Sequence, residues 1–288
     1  MAVVDYKVAG SIEEAVSLLA NAKMATRILA GGTDLIIQTK PQANSVAVID
    51  IKKIDSMMTA TLDDSGLTLG PSMSCSEFTA RNDIKQVFPG LVEAAYLIGS
   101  TQVQGRCSVG GNLCNASPAA DTIPALIVNG AQCVIAGSKG ERTVAVEDFV
   151  TGVGKNCMSK DELLVAIKIA KPKAGTSDAY LRFIPRTEMD IAVAGAGVSV
   201  TLDDTGTCTA ARVAIGAVAV TALLVPEAAA ALIGTKLDES ALKAAAAAAS
   251  DASKPISDRR GTADYRRQVV GVLVKRAATI AASRAKEK

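Results

Sequence analysis

The stretch "CSVGGNLCNASPAAD", Cys107 to Asp121, gathers two adjacent glycines, two asparagines and two serines within fifteen residues and closes on a carboxylate. In a chain that is 49% hydrophobic, such a run of small hydrogen-bonding residues needs a reason. "ILAGGTDL", Ile28 to Leu35, has the same texture nearer the N-terminus. A glycine pair at a strand or helix junction leaves backbone N–H groups without partners at the helix start. The missing Cβ atoms also let a ligand approach the backbone closely, and the helix dipole adds roughly 0.3–1 kcal/mol for an anion. Two such turns can enclose a diphosphate from two sides without any lysine. If each supplies two charge-assisted hydrogen bonds of about 1.5–3 kcal/mol, the sum is about 6–12 kcal/mol before ordering costs. Glycine pairs equally serve tight turns that hold nothing, and the residues alone leave both readings open.

The flanking sequence places these turns in a two- or three-part α+β chain. "SIEEAVSLLANA" opens with Ser11 and, three residues on, Glu14, the capping-box spacing, and carries Ile12, Ala15, Val16 and Leu19 on one face. "TRILA" reads as a buried strand, "TDLIIQTK" as a helix stopped by Pro41, and "SVAVID" as another strand, a βαβ-like unit of about 55 residues. In the middle, "GLTLG" is a strand, Ser74 and Glu77 form a second capping box, and "GLVEAAYLIG" is helical. "DTIPALIVNGAQCVIAG" reads as helix, turn and strand, and "DELLVAIKIAKP" as a strand closed by Pro172. From about Tyr180, two long strand-like runs joined by "DDTG" predict a hairpin. Helices follow, one of them alanine-rich, which fits close helix packing. Three antiparallel strands with helices are expected there.

Composition excludes several classes. The 31 basic and 29 acidic residues nearly cancel, giving no basic face for nucleic acid. No apolar run reaches the roughly 18 residues of a membrane span, and no signal-peptide pattern opens the chain, so a cytoplasmic protein is expected. There is no histidine, which removes the commonest general base and metal ligand together. Six scattered cysteines without a C-x-x-C pair suit reduced thiols in the core rather than a metal site. Two phosphate motifs fail. "GVGK" at Gly152–Lys155 has Phe149 where a P-loop needs its first glycine, and "GAGVSV" from Gly195 lacks the third glycine of a dinucleotide fingerprint and lies in a strand pattern.

Five segments in order, "AGGTDL", "QVQGRCSVGGNLCNASPAAD", "DELL", "RTEMDIA" and "DRRGTADYRR", make the chain resemble the FAD-binding subunits of the molybdenum hydroxylases, from about Lys7 to Lys275. Xanthine, carbon monoxide and nicotinate dehydrogenases belong to that family. The resemblance implies a PCMH/VAO-type fold: two α/β FAD-binding subdomains, residues 1–55 and 56–175, and a C-terminal α+β domain, residues 176–288. It assigns the diphosphate to Leu29, Ala30, Gly31, Gly32, Thr33, Asp34 and Leu35, faced by Ser108, Gly110, Gly111 and Asn112. It gives Asp121 the adenosine end, Ile98 an apolar contact with the isoalloxazine ring, and Leu163 and Leu164 a strand lining the pocket. Gly99, Val103 and Asn115 join them as cofactor-binding positions, and Arg182 stands where some relatives carry a lysine near the ring.

Four departures stand out. Gly105-Arg106-Cys107-Ser108 replaces the family's frequent Arg-Asn and threonine, and Ile98 replaces an aromatic residue of the animal xanthine dehydrogenases. Arg182 replaces the lysine, and the cysteine-rich insertion of the hydroxybenzoyl-CoA reductases is missing.

The implied function is electron transfer, with no catalytic acid or base and no metal ligand in this chain. Electrons pass from a molybdenum cofactor in a large partner subunit through two [2Fe–2S] clusters in a small one to FAD here, then to NAD, a quinone or another acceptor. A dimer of heterotrimers is the expected assembly. A flavin-free scaffold subunit and a free-standing flavin oxidase are the alternatives. The substrate is read by the molybdenum subunit and is not encoded here.

Overall fold

The computed structural model describes residues 4–39 and 45–288. The first unit comprises β1 (Val4–Val8), α1 (Ile12–Ala20), β2 (Thr26–Leu29), α2 (Leu35–Thr39) and β3 (Val46–Asp50). Its three strands are parallel, in the order β1-β3-β2. Helix α1 begins where its cap predicts: Ser11 Oγ accepts the Glu14 N–H at 3.1 Å, and the Glu14 carboxylate reaches back to the Gly10 N–H at 2.7 Å. The expected stop at Pro41 lies outside the described residues.

The second unit runs through β4 (Ala60–Asp63), β5 (Gly66–Leu69), α3 (Cys75–Thr79), α4 (Asn82–Val87), α5 (Pro89–Tyr96), α6 (Thr101–Gln104), α7 (Val109–Asn115) and α8 (Thr122–Val128). It continues with β6 (Gln132–Gly137), β7 (Gly140–Ala145), α9 (Val146–Phe149), β8 (Val150–Gly152), β9 (Lys155–Asn156) and β10 (Leu163–Ala170). The main sheet has the order β4-β5-β10-β6-β7 and is antiparallel throughout. This differs from the α/β arrangement expected, because two hairpins rather than helical crossovers supply four of its five strands. Strand β6 explains the continuous apolar run "CVIA", Cys133 to Ala136. Cys133 and Ile135 face the helices, while Val134 and Ala136 face a second core shared with Ile49, Ala15 and Leu19 of the first unit. A strand covered on both faces needs apolar residues at every position.

The third unit holds β11 (Thr176–Phe183), β12 (Ala194–Leu202), β13 (Cys208–Gly216), β14 (Leu223–Leu224), α10 (Pro226–Ala230), α11 (Glu239–Ala252) and α12 (Ala263–Ala285). The expected hairpin forms at Asp203, whose Oδ1 accepts the Thr205 and Thr207 N–H groups at 2.9 Å. The antiparallel sheet has four strands rather than three, the fourth being the two-residue β14. On β12, Ala194, Ala196, Val198 and Val200 face α12. Gly195 and Gly197 face the other way, and a Cβ at Gly197 would stand 2.9 Å from the Pro124 carbonyl oxygen. Thus "GAGVSV" is a packing surface for α8, not a phosphate loop. The alanine run of α11 packs as expected, with Ala245 and Ala249 fully buried. At its crossing with α12, a Cβ on Gly271 would lie 2.9 Å from the Ala246 carbonyl oxygen.

The third unit is tied to the second by a buried carboxylate. Asp178 on β11 accepts the N–H groups of Gly90 and Leu91 at 3.1 Å each, at the start of α5, and the Asn129 amide at 2.7 Å. Arg284 at the end of α12 pairs with Glu93 of α5. Replacing Asp178 by alanine strands two buried N–H groups, each at about 1–3 kcal/mol. Urea unfolding of Asp178→Ala should therefore show a loss of about 2–6 kcal/mol. All six cysteines are free thiols, and among the described residues no helix is long and apolar enough to cross a membrane.

Candidate functional site

Strand β2 ends at Leu29, and Ala30 to Asp34 turn the chain into α2. Gly32 takes φ +79°, the left-handed region open to glycine at no cost. The carbonyls of Gly32 and Asp34 accept from Ile36 and Gln38, opening the helix. Among the described residues, no hydrogen bond occupies the N–H groups of Gly31, Gly32, Thr33, Asp34 or Leu35. Consecutive backbone donors left free in a turn are what anion-binding nests are built from.

The second turn lies against the first. A Cβ on Gly31 would stand 1.8 Å from the Arg106 carbonyl oxygen and 3.1 Å from the Cys107 Cα. The two glycine clusters, some 75 residues apart in sequence, therefore touch backbone to backbone. Gln38 Nε2 adds a hydrogen bond of 3.0 Å to Asn115 Oδ1, joining α2 to α7. Ser108 caps α7, its Oγ accepting the Gly111 N–H at 3.0 Å and its carbonyl accepting from Asn112. The Gly110 N–H beside it makes no hydrogen bond among the described residues.

The two glycines of this pair serve different ends. Gly110 packs on Pro71, where an added Cβ would come within 2.3 Å of the proline ring, so its bareness is explained by the core. At Gly111 an added Cβ would meet only the Ser108 hydroxyl, at 2.9 Å. Asn112 turns its Oδ1 to Thr122, accepting from the hydroxyl at 2.6 Å and the N–H at 3.3 Å. It orients α8 with that oxygen rather than presenting it to a ligand.

Asp121 stands at the N-cap position just before α8, yet its side chain caps nothing. It is buried, accepts the Tyr180 hydroxyl at 2.9 Å, and pairs with Arg182 Nη1 at 2.7 Å. Burial pushes its carboxyl up to about 6 against the opposing pull of Arg182 and Tyr180. Burial likewise holds the Tyr180 phenol well above its ordinary value. Arg182 is itself buried, with its Nε unpartnered.

This geometry bears on two expectations together. The resemblance gives Asp121 the adenosine end of an extended dinucleotide and Arg182 a place near the isoalloxazine ring. In contact at 2.7 Å, they occupy one end, and the two assignments cannot both hold. Tyr180, the third member, carries no signal in the sequence beyond being a tyrosine within a buried strand.

The remaining expected residues divide. Ile98 and Val103 are half-buried against the main core, and Gly99 between them takes φ +63°, with room for a Cβ denied by Val103 Cγ1 at 2.7 Å. Leu163 and Leu164 are both buried, but Leu163 packs into the core shared with the first unit and Leu164 into the helical core. Neighbours on a strand point to opposite faces, so at most one of them can line a given pocket. Leu29, Thr33 and Asp34 border the first turn, with Asp34 exposed and the other two half-buried.

A line of contacts thus runs from Gly31 through Arg106, Ser108 and Asn112 to Thr122, Asp121 and Arg182. The free donors suit a diphosphate at one end, and the buried polar cluster suits an oriented polar group at the other.

Comparison with known proteins agrees. Residues 2–172 match the family model described as the FAD binding domain in molybdopterin dehydrogenase, and residues 179–281 match the CO dehydrogenase flavoprotein C-terminal domain. The carbon monoxide dehydrogenase medium chain of Afipia carboxidovorans is 34% identical over 98% of both chains. Subunit alpha of the 6-hydroxypseudooxynicotine dehydrogenase complex of Paenarthrobacter nicotinovorans is 30% identical over 98% of this chain and 95% of its own length. Among solved structures, carbon monoxide dehydrogenase from Hydrogenophaga pseudoflava, in a form lacking the Mo-pyranopterin moiety, superposes with a TM-score of 0.93 at 32% identity over 98% of each chain. The chain belongs to the family of FAD-binding flavoprotein subunits of the molybdopterin dehydrogenases.

Proposed function

We propose that this chain is the flavin-carrying relay of a multi-subunit molybdenum hydroxylase. Electrons arrive from two [2Fe–2S] clusters of a small partner subunit, fed by the molybdenum cofactor of a large one, and leave to NAD or another acceptor. The assembly is a dimer of heterotrimers. FAD lies across the junction of residues 1–55 and 56–175, with residues 176–288 contributing Tyr180 and Arg182. The observation that carries this reading is the run of five free N–H groups from Gly31 to Leu35, set against the second glycine turn.

When bound, FAD supplies one- and two-electron redox chemistry; the protein supplies binding, orientation and electrostatics. Gly31 to Leu35 and Gly110 donate to the diphosphate. The buried Asp121, Tyr180 and Arg182 present a fixed polar surface, and Ile98 and Val103 offer apolar contact. No general base is required of this chain, consistent with a relay rather than a free-standing oxidase.

The test is the visible spectrum of the chain after incubation with FAD or FMN and removal of the excess. Retention of FAD and not FMN is expected, since FMN lacks the diphosphate and adenosine. Should neither the chain nor its co-purified complex hold flavin, the scaffold reading replaces this one. Rapid reduction of the complex by its substrate, with iron–sulfur absorbance bleaching no later than the flavin, checks the order of transfer.

A further inference from the structure

A hollow of about 240 Å³ has Gly31 in its wall. It is lined by Gly31, Lys52, Ser72, Ser74, Glu77 and Arg106, among others. The Ser72 hydroxyl is the telling atom. Ser72 is 3% exposed, and its Oγ has no hydrogen-bond partner. The position is not a loose one. The Ser72 N–H is held by the Met57 carbonyl at 2.8 Å, and the preceding Gly70 packs so tightly that a Cβ would stand 2.6 Å from the Ser56 carbonyl oxygen. A buried hydroxyl without a partner among the described residues is uncommon in native proteins and calls for an explanation, which a group held in the hollow would supply.

The charges around it indicate what that something is. Lys52 is paired with Asp50 at 2.8 Å, and the Ser74 hydroxyl engages one oxygen of Glu77 at 2.7 Å. The Arg106 guanidinium has no partner among the described residues. Donors therefore dominate: a free guanidinium, an ammonium with donors to spare and a buried hydroxyl, opposed by the single carboxylate of Glu77. A planar guanidinium beside an ammonium and a hydroxyl matches the oxygens of a phosphoryl group.

We propose that this hollow is an oxyanion site that takes a phosphoryl group, separate from the five free donors of the first glycine turn. Gly31 lines the hollow, its bare Cα allowing Arg106 and Cys107 to approach closely. The phosphoryl group comes either as free phosphate or as the 5′-phosphate of a nucleotide, and both offer the same oxygens to Arg106, Lys52 and Ser72.

The experiment is isothermal titration of the full chain, loaded with FAD so that the glycine turns are occupied, with inorganic phosphate and separately with AMP. Saturable binding of at least one probe in the millimolar range or tighter is expected. Arg106→Ala should weaken it about tenfold and Ser72→Ala several-fold, while Glu77→Gln, which removes the opposing charge and keeps an acceptor for Ser74, should tighten it several-fold. AMP bound more tightly than phosphate, with the same response to Arg106→Ala, assigns the site to a nucleotide; equal affinities assign it to free phosphate. Absence of binding, or binding indifferent to both Arg106→Ala and Ser72→Ala, overturns the proposal. The flavin spectrum of each variant is read in parallel. If the chain holds no FAD, the titration is run on the flavin-free chain, and sensitivity to the Arg106, Ser72 and Glu77 substitutions still decides whether the hollow binds.

Discussion

Arg182→Ala is expected to destabilise the chain by about 3–5 kcal/mol, because it leaves the Asp121 carboxylate buried without its counter-ion. The pair is 2.7 Å apart with both side chains more than nine-tenths buried, so solvent cannot take the place of the guanidinium. Arg182→Lys should recover only part of the loss, since an ammonium cannot reproduce the planar fork. The companion variant Asp121→Asn keeps a group able to accept from Tyr180 while removing the charge, and it separates charge from shape.

The same cluster has a signature in pH. The folded Asp121 carboxyl is raised from 3.8 to about 6 by burial, so the folded state holds this proton more tightly than the unfolded one. Its contribution to stability is complete below about pH 4 and is lost as pH rises through about 6. The stability of the wild type relative to Asp121→Asn should therefore fall across that window. In Arg182→Ala, where a charge that favours the ionised form is gone, the fall should move to higher pH. A difference flat from pH 4 to 7 would show that the carboxyl is not raised.

What the sequence discloses here follows from how local the cause is. The caps at Ser11 and Ser74, the hairpin at Asp203 and the close-packed alanine helix are written in neighbouring residues, and each forms as read. The strands that escape the sequence are β1, β4, β7, β11, the short β14 and the small pair β8 and β9, and every one is an edge of its sheet. An edge strand has a solvated side and carries residues such as Tyr6, Thr61, Glu141 and Arg142, so neither a buried run nor a clean alternation announces it. Central strands such as β6 and β10 declare themselves by composition.

The candidate site divides along the same line. Both glycine turns are legible because the constraint on each is local. Their contact through Gly31 and Arg106 is not, and neither is the joining of Asp121 to Tyr180 and Arg182, about 60 residues away. The opposite facing of Leu163 and Leu164 was available from strand geometry alone. The contact between Asp121 and Arg182 had no such signal. A carboxylate before a helix reads as a cap or a ligand, and only the fold shows that its partners come from another sheet.

Gly31→Ala is expected to abolish FAD retention while leaving most of the fold in place. An added Cβ would stand 1.8 Å from the Arg106 carbonyl oxygen and 2.5 Å from its carbon. Both are backbone atoms, and that backbone is pinned: the Arg106 and Cys107 N–H groups bond the Val103 carbonyl at 2.9 and 2.8 Å, and the Cys107 carbonyl accepts from Cys75 at 2.8 Å. The turns must therefore move apart, costing about 1–3 kcal/mol in strain and lost packing. The consequence for binding is larger than for stability, because donors displaced by an ångström no longer converge on one diphosphate. Losing two charge-assisted hydrogen bonds of about 1.5–3 kcal/mol each corresponds to a loss of affinity of roughly a hundredfold or more at 1.4 kcal/mol per decade. Gly111→Ala is the informative contrast, since its Cβ would meet only the Ser108 hydroxyl, which can rotate away. That variant should lose far less affinity at similar stability. Gly206→Ala, at a left-handed turn with open space around it, reports strain alone. FAD titrations of the three variants, set beside their urea unfolding curves, separate these effects. If Gly31→Ala binds FAD as tightly as the wild type, the two turns do not form the cradle.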